Sequence, residues 1–467
     1  MQIFSIFSEQ VHAVNVGVDG FADDLRGQGM PVTPLQWKPA AGGDEELLAL
    51  LARLDPDKTA AANQQCLETI ARGTAMLTGL KRARDVVPGM TDHEFVLLHA
   101  GPPVTWEAMC GPMKGAMIGS ILYEGWAKTP GEAIRLAESG AIHFSPCHEH
   151  RAIGPMAGMI SPSMWVQVVE NTAFGLETYV TLYMGLGRVL RHGVYEPDVL
   201  EKLAWLNGEF AELYRLALER SGGIDIKALV AQGLQMGDEC HSRFKATSLV
   251  LLNQLLPHLI RSGADEAVIR AATHMEAASS FPLSAVMAAF KGMLDPANGI
   301  PHSTVVTTIA RNGVQTGIKV SGTGNIWFTA PAPMIEGIYF PGYGPEDANP
   351  DIGDSAITET MGIGSMAMAA GPAVVQFIGS TAQYAMDSTL AMYEITESEH
   401  PLFKIPVLDF RGVPFGIDIR KVVATTVTPL INTGIPCKRP NVGQIGAGIT
   451  AVPYECFAKA LRHMAQG

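Results

Sequence analysis

Three carboxylic acids stand at the edge of an uncharged stretch of the chain, in the sequence NPDIGDSAITETMGIG (349–364). Asp351, Asp354 and Glu359 are followed by no formally charged side chain until Asp387. Burying a carboxylate is costly unless it is paired, hydrogen-bonded or protonated. We therefore predict that Asp354 and Glu359 are catalytic groups that move protons in a cleft. The structural alternative is helix capping, in which an Asp in the first turn accepts from free N–H groups.

The same stretch supplies polar side chains that we predict to bind a substrate. A helix is expected over residues 352–370, and its i, i+3 and i, i+4 spacing would place Asp351, Ser355 and Thr358 on one face. That polar stripe, preceded by Asn349, would face a cleft because the rest of the helix is apolar. The sequence identifies no definite cofactor and predicts no metal site, although a divalent cation such as Mg²⁺ on the carboxylates is left open.

A glycine-rich turn that leads into a helix forms a second candidate, in AGPPVTWEAMCGPMKGAMIGS (100–120). The N-terminus of that helix would present free N–H groups to an anion, and we predict that Lys114 and Gly115 bind it. The spacing is not that of a Walker loop. The structural alternative is a turn with a solvated lysine.

A third candidate combines a cation with two tight turns, in ARNGVQTGIKVSGTGNIWFTAPAP (310–333). Arg311 and Asn312 precede a hairpin-type turn, and Arg311 is predicted to grip a carboxylate or phosphate through two parallel hydrogen bonds. Ser321 opens a Gly-Thr-Gly turn whose N–H groups are predicted to form an anion-binding nest. Two purely structural turns are the alternative.

Histidines cluster in the stretch HFSPCHEHRAIGPMAGMISPS (143–163). His148 is predicted to be catalytic, as a general base or hydrogen-bond donor. A metal site built from this cluster is a weaker alternative, because one short cluster lacks the distant ligands of a known site. Cys147 and His148 are not expected to form a nucleophilic pair, since adjacent residues rarely point at each other.

Two further stretches carry weaker chemical signals. Asn432 and Gln444 stand in the glycine-rich C-terminal region, and their neutral amides suit a urea-like or carboxamide ligand. The stretch GDECHSR (237–243) is expected to start a helix, with Asp238 as its N-cap and Glu239 in its first turn.

Composition argues against several classes of partner. The chain of 467 residues carries a net charge of −13 and no basic block, which disfavours nucleic acid and anionic membrane surfaces. The uncharged run 360–386 contains Pro372 and two glutamines, which argue against a membrane span. Six cysteines form no CxxC pair, and the N-terminus shows no signal peptide, so we expect a cytoplasmic protein with reduced thiols. A hydrophobic fraction of 47% suggests surface buried in an oligomer, and we expect a homo-oligomer.

The elements that would position these groups indicate an α/β fold class, with several mixed α/β domains, an inserted helical domain and a small N-terminal βαβ-like unit. The periodicity predicts four domains, with these bounds: 1–90 for the βαβ-like unit and helices, 91–195 for an α/β domain, 196–298 for the helical domain, and 299–467 for a C-terminal α/β domain.

Local patterns sharpen this outline. Residues 11–37 are expected to form strand, helix and strand, and residues 58–82 a long helix rich in Ala, Leu and Met. Residues 407–434 are expected to form strand, turn, helix and strand. The sequence NVGQIGAGITAVP (441–453) is interpreted as a glycine-rich loop.

Several of these stretches together resemble the YlbE/YahG-like family, a family long described as of unknown function. The resemblance is carried, in this order, by LHAGPPVTWEAMCGPMKGA, EGWA, PCHEHRAIGPMAG, QGLQMGDE, SGTGNIWFTAP, NPDIGDSAITETMGIG, FGIDIRKVV and TPLINTGI with GQIGAG. The N-terminal sequence HAVNVGVDGFADDLRGQGMPVTPLQWKPAAGGD resembles the C-terminal end of FdrA-type proteins. The resemblance runs from about residue 95 to the C-terminus.

The resemblance implies a link to oxamate carbamoyltransferase in allantoin and purine breakdown. It implies that an FdrA-like subunit and a third small subunit are partners, and that oxalurate or a similar ureido acid is split with phosphate to give carbamoyl phosphate. Such a reaction binds a small anionic substrate and phosphate or carbamoyl phosphate, and it places a proton on the leaving nitrogen. The alternatives are an amidohydrolase or lyase acting on a ureido compound, and a non-catalytic scaffold subunit of an FdrA-like complex.

Overall fold

The computed structural model describes residues 11–35, 37–262, 265–278 and 280–466. Within them the chain is a multi-domain protein of mixed α/β architecture, which confirms the predicted fold class. No helix in these ranges is both long and apolar enough to cross a membrane.

The N-terminal part begins with the predicted βαβ unit, whose two short strands pair in parallel. Its elements and the helices after it are β1 (Ala13–Val16), α1 (Asp19–Gly27), β2 (Val32–Leu35), α2 (Glu45–Leu51) and α3 (Pro56–Arg72). The predicted helix over 58–82 is wrong in its second half. Helix α3 ends before Gly73, where a Cβ would collide with the side chain of Met293, and the chain continues as a strand.

The next part alternates strands and helices, as predicted for an α/β region. It contains β3 (Met76–Arg82), α4 (Ala83–Val86), β4 (Phe95–His99), α5 (Gly111–Tyr123), α6 (Pro130–Glu138), β5 (Ile142–Pro146), β6 (Trp165–Asn171) and β7 (Leu176–Thr181). Strands β4 and β5 pair in parallel, while β3, β6 and β7 form an antiparallel sheet. Loops leave the carboxyl ends of β4 and β5 side by side, which brings the segments after His99 and Pro146 together.

A run of helices follows, interrupted by one two-residue strand. It comprises α7 (Pro197–Trp205), α8 (Ala211–Ser221), β8 (Ile224–Asp225), α9 (Ile226–Gln235), α10 (Lys245–Ile260), α11 (Asp265–Ala277) and α12 (Leu283–Leu294). Apolar side chains of these helices join those of α5, β6 and β7 in the largest hydrophobic cluster of the described chain. The helical segment therefore shares a core with the region before it, and the four domain bounds stay a prediction.

The C-terminal part is again mixed. Its elements are β9 (Val306–Asn312), β10 (Gln315–Val320), β11 (Phe328–Pro331), β12 (Glu336–Tyr339), β13 (Ile352–Gly353), α13 (Ile357–Thr360), α14 (Val375–Ile378), α15 (Ala382–Met392), β14 (Thr396–Ile405), β15 (Arg411–Ile417), α16 (Ile419–Thr425), β16 (Leu430–Pro436), β17 (Gln444–Ala451) and α17 (Tyr454–Met464). The β15, α16, β16 succession confirms the pattern predicted for 407–434.

The glycine-rich segment 441–453 forms strand β17 rather than the expected loop. Strand β17 lies between β12 and β16, and both pairings are antiparallel. A Cβ at Gly446 or Gly448 would collide with backbone carbonyls of β12. These glycines thus permit close approach of two backbones, which is a known role of glycine inside a strand.

Candidate active site

The segment 349–364 folds as a tight sequence of turns, so the helix expected over 352–370 is wrong. It contains the two-residue strand β13 and the single helical turn α13, and a 3₁₀ segment from Gly364 to Ala370 follows. Gly353, Gly362 and Gly364 all have positive φ angles, of 130°, 86° and 64°. A continuous right-handed helix cannot pass through such residues, and the i, i+4 stripe therefore does not form.

All three acids of this segment are fully buried, and each has a different partner. Strand β13 pairs with β9 at Gly353 and Arg311, which brings Asp351 beside the guanidinium. Arg311 donates from Nε to Asp351 Oδ2 over 2.7 Å and from Nη2 to Oδ1 over 3.1 Å. Its Nη1 donates to the carbonyl of Gly353. Arg311 is itself fully buried, so the predicted anion clamp is occupied by a residue of the same chain.

Asp354 joins the C-terminal part to the loops after β4 and β5. Its Oδ1 accepts from the backbone N–H of Gly101 over 2.7 Å, and its Oδ2 accepts from that of Gly154 over 3.1 Å. The Nε2 atom of His148 lies 3.5 Å from Oδ1. Two backbone donors and an imidazole therefore surround this carboxylate, which holds three distant segments together.

Glu359 is bound to a histidine that the sequence had not marked as functional. The Nδ1 atom of His241 lies 2.7 Å from Glu359 Oε1, and because a carboxylate accepts, Nδ1 carries the proton. Ser365 N–H donates to the same oxygen over 3.0 Å, and the hydroxyl of Thr358 donates to Oε2 over 2.9 Å. The glycine at 364 is required here, since a Cβ would collide with the Glu359 carboxylate.

A second buried carboxylate supports His241 from its backbone side. Glu239 accepts from the N–H groups of His241, Ser242 and Arg243 over 2.6 to 2.8 Å. Burial raises the pKa of Glu239 to about 7, and Glu359 adds to the rise, while His241 and the backbone donors oppose it. Two buried carboxylates thus contact His241, one at its ring and one at its backbone N–H.

The role expected for Asp238 and Glu239 at a helix start is wrong in its geometry. The two residues follow helix α9 in a loop, and helix α10 begins only at Lys245. Asp238 still satisfies an N-terminal donor of α10, because its Oδ2 accepts from the N–H and hydroxyl of Thr247. Glu239 instead accepts from backbone N–H groups of the next residues of the loop, and the resulting turn directs His241 inward.

His241 lines a cavity of about 430 Å³ that we take as the candidate active site. Three segments that carry the family resemblance supply Ser355, Thr433 and Gln444 to its wall. The Nε2 atom of His241 makes no hydrogen bond to the described residues, and His241 itself is a lining residue. A histidine fixed through Nδ1 by a carboxylate, with Nε2 free, has the arrangement of a general base.

Arg191 provides the cationic group of this cavity. It is buried, and Nη2 donates to the hydroxyl of Tyr183 over 2.9 Å and to the carbonyl of Gly185 over 2.7 Å. Its Nε has no hydrogen-bond partner, and it forms no ion pair with any described residue. Burial lowers the pKa of Arg191, while the hydroxyl of Tyr183 opposes the fall. A buried guanidinium without a counter-ion is suited to an anionic ligand.

Apolar side chains complete the lining of the cavity. Met156, Leu186, Leu283, Phe340 and Phe377 lie on its wall. The neighbouring His192 is also buried, and burial lowers its pKa to about 3, so this imidazole is neutral. The cavity is therefore largely apolar with a few polar groups, as is common for small-molecule sites.

Several residues predicted to bind substrate do not line this cavity. Lys114 donates to the carbonyl of Glu107 over 3.2 Å. Gly115 permits close packing of α5, because a Cβ there would collide with the carbonyl of Gly193. Ser321 donates to the carbonyl of Ala297. The predicted anion sites at 100–120 and 321–324 are thus not assembled with Glu359.

The remaining amide residues take three different places. Asn312 shapes the β9–β10 turn by accepting from Val314 N–H over 2.9 Å, and it donates to Pro102. Asn349 donates to the carbonyl of Pro350. Asn432 is fully buried, and neither its amide nitrogen nor its oxygen has a partner among the described residues.

The residues that sequence reasoning missed are Arg191 and His241. Both had a local signal: Arg191 lies in GLGRVLRHG between glycines that take positive φ, and His241 follows two acids in GDECHSR. Neither stretch matches a motif whose spacing defines a chemistry. His148, which was predicted to be catalytic, lines a different cavity, and its Nε2 atom lies 3.5 Å from Asp354.

The carboxylates do not fit a divalent cation. Separate partners are bound to the carboxylate oxygens of Asp351, Asp354 and Glu359, and these oxygens do not converge on a common point. Among the described residues, no group of three or more His, Cys, Asp and Glu could hold a metal ion. No step is therefore assigned to a metal.

The fold is mixed α/β, and its candidate active site contains a histidine that is hydrogen-bonded to a buried glutamate. Residues 142–355 match the family described as oxamate carbamoyltransferase subunit AllG. The chain is 45% identical over 462 residues to the uncharacterized protein YahG of Escherichia coli K12, covering 98% of each. It is 42% identical over 410 residues to oxamate carbamoyltransferase subunit AllG of the same strain, covering 87% of this chain and 98% of AllG.

A solved structure is also similar. A conserved protein of unknown function from Enterococcus faecalis V583 superposes with a TM-score of 0.85 at 43% identity, covering 88% of this chain and 98% of that one. The chain belongs to the family that contains YahG and AllG, which confirms the predicted family.

Proposed function

We propose that this chain is a subunit of a carbamoyltransferase of the oxamate carbamoyltransferase type. The reaction proposed is cleavage of oxalurate, or a similar ureido acid, by phosphate to give carbamoyl phosphate, in purine and allantoin catabolism. Its similarity to subunit AllG supports the class of complex. The observation that carries the proposal is one cavity that combines an uncompensated cation, Arg191, with the buried Glu359–His241 pair.

The cavity matches a planar ureido acid in charge and hydrogen bonding. The substrate carboxylate would pair with Arg191, whose Nε has no hydrogen-bond partner and which forms no ion pair within the described part of the chain. The carboxamide of Gln444 and the hydroxyls of Ser355 and Thr433 would bind the polar edges of the ureido group. The apolar wall would exclude bulk water, so phosphate rather than water would receive the carbamoyl group.

The proposed reaction exchanges one bond at the carbamoyl carbon. A phosphate oxygen attacks that carbon, and the bond from the carbon to the oxamate nitrogen then breaks. His241 Nε2 takes the proton that remains on phosphate and returns a proton to the leaving nitrogen, which departs as the neutral amide of oxamate. Glu359 holds the proton on Nδ1 and stabilises the imidazolium that forms between the two transfers.

The other predicted catalytic residues receive different roles in this proposal. Asp354 positions Ser355 at the cavity by holding the backbone of Gly101 and Gly154. His148 lies outside the cavity and acts on it only through Asp354. Asp351 and Thr358 support the wall from behind, and Arg311 holds Asp351.

The proposal includes the partners that the sequence implied. An FdrA-like subunit and a third small subunit would complete a cytoplasmic complex, in which this chain is expected to associate with further copies of itself. The name of AllG, a subunit of a carbamoyltransferase, supports a multi-subunit enzyme.

One assay tests the proposed function. The purified chain, alone and with the proteins encoded beside its gene, is mixed with oxalurate and ³²P-phosphate, and labelled carbamoyl phosphate is measured. Label in carbamoyl phosphate that disappears with His241→Asn supports the proposal. Oxamate release without phosphate would indicate an amidohydrolase, and activity that survives both His241→Asn and Arg191→Gln would indicate a scaffold subunit.

A further inference from the structure

A second cavity, of about 490 Å³, is lined by His148, whose Nε2 atom lies 3.5 Å from Asp354. It is formed by the segment after β5, the β6–β7 turn, the C-terminal end of α12 and the strands β9 and β10. Its charged and polar lining residues are His148, Arg151, Lys291, Asp295, Asn298, Thr308, Lys319 and Asn325. Three of these carry a fixed positive charge, and only Asp295 among them carries a negative one.

Lys319 is the central feature of this cavity. Only 4% of the residue is exposed, yet its ammonium forms no hydrogen bond and no ion pair with the described residues. It lies 4.6 Å from the ring centre of Trp327, over the aromatic face. The ammonium opens into the cavity without an anionic partner among the described residues, so an anion bound there would supply an electrostatic partner that the fold does not.

Lys291 places a second ammonium in the same space and keeps it there. Its Nζ lies 2.9 Å from Asp295 Oδ2, 3.3 Å from the carbonyl of His148 and 3.5 Å from His148 Nδ1. Because Nδ1 of His148 faces a donor, the ring proton belongs on Nε2, which points towards Asp354. His148 is thus a neutral spacer between Lys291 and Asp354.

We propose that this cavity binds a phosphate-type oxyanion at Lys319, Lys291 and Arg151, separately from the candidate active site. Two or three cations around one small space match the charge of a phosphate dianion. The hydroxyl of Thr308 and the amides of Asn298 and Asn325 supply neutral groups for the remaining oxygens. Free phosphate and the phosphoryl group of a larger metabolite share this chemistry.

The electrostatics of Lys319 agree with an unfilled anion site. Burial lowers its pKa to about 8, and Lys291 adds to the fall, while Glu149 and Asp295 oppose it. A bound oxyanion would favour the charged amine. Binding of an oxyanion at Lys319 does not require carbamoyl transfer.

The test measures how anions change the thermal unfolding midpoint of the full chain, at constant ionic strength and without substrate. Inorganic phosphate should raise the midpoint of the wild type relative to chloride, because a ligand that binds the folded state stabilises it. Lys319→Met should abolish most of this rise, while the exposed-lysine control Lys58→Met should keep it. Glycerol phosphate, tested beside inorganic phosphate, shows whether a phosphoryl group on a larger ligand enters as well.

Variant folding and site assignment have separate controls. Lys319→Met removes an unpaired buried charge, so its midpoint in chloride should equal or exceed that of the wild type; a lower midpoint would count against the uncompensated state of Lys319. Arg191→Gln should leave the phosphate effect intact. A phosphate effect that is lost in Arg191→Gln and retained in Lys319→Met would overturn the proposal, because the anion would then bind at the candidate active site.

Discussion

The imidazole of His241 and the carboxylate of Glu359 meet at 2.7 Å although 118 residues separate them in the chain. Their contact joins the loop between α9 and α10 to the turn-rich segment before α14. Glu359 fixes the proton on Nδ1, and the opposite nitrogen faces a cavity that also contains Arg191. In the proposed reaction, this contact provides the general base and orients its free nitrogen towards the cavity.

Replacing His241 by Asn should lower kcat by about 10²- to 10⁴-fold with a smaller change in KM, because a general base is lost. The amide nitrogen of Asn can still donate to Glu359, so the fold should be retained. Steady-state kinetics of phosphate-dependent carbamoyl transfer measure the effect. The exposed His302 has a positive φ that Asn tolerates, so His302→Asn is the matched control and should be fully active.

Replacing Arg191 by Gln should raise KM for the ureido acid by about ten- to a hundredfold, since a charge-assisted hydrogen bond to the substrate is lost. The neighbouring Arg188 is exposed and only 4.0 Å from a surface acid, so Arg188→Gln should leave KM unchanged. Equal effects of the two substitutions would show that Arg191 acts through the overall charge rather than through substrate contact. The comparison is made by substrate titration.

Replacing Asp351 by Asn should destabilise the fold by about 3–5 kcal/mol, because it leaves the buried guanidinium of Arg311 without its counter-ion. Arg411 forms a comparable pair with Glu399 on the surface, and Arg411→Gln should cost about 0–1 kcal/mol. Urea denaturation curves provide both values. A small effect at Asp351 would mean that water reaches the pair.

Glu239 should make stability fall as pH rises. Its pKa is about 7 in the folded chain and 4.5 without the fold, so the cost of ionising it is absent below pH 4.5 and complete above pH 7. A shift of this size corresponds to about 3 kcal/mol. The unfolding free energy of Glu239→Gln, measured across this range, should therefore rise relative to that of the wild type, and parallel curves would contradict the raised pKa.

The sequence predicted elements well where periodicity was strong. The βαβ unit, the helices of the middle region and the β15, α16, β16 succession follow apolar spacing and turn residues that act locally. Segment 349–364 and strand β17 were predicted wrongly, because their glycines serve tertiary contacts. Positive φ at Gly362 breaks a helix, while Gly448 lets one strand approach another, and a single sequence does not distinguish these uses.

The candidate site was predicted only in part, for a related reason. Burial of Asp351, Asp354 and Glu359 was anticipated from their position beside an uncharged stretch. Each acid has at least one partner that lies 40 to 253 positions away, and local spacing carries no information about such pairs. Arg311 was predicted to bind a ligand from its residue type alone, yet its guanidinium is paired with Asp351.

The contacts of the Asp354 carboxylate bear on the order in which parts of the chain fold. It captures backbone groups of Gly101 and Gly154, which were synthesised 253 and 200 residues earlier. Closing such long loops is slow and comes after local structure has formed. We therefore expect the candidate cleft to be among the last features to form, and a fragment lacking either half of the polypeptide would not contain it. A substitution far from the cleft that slows the association of the two halves should therefore lower the fraction of active molecules. It should leave the turnover of each active molecule unchanged.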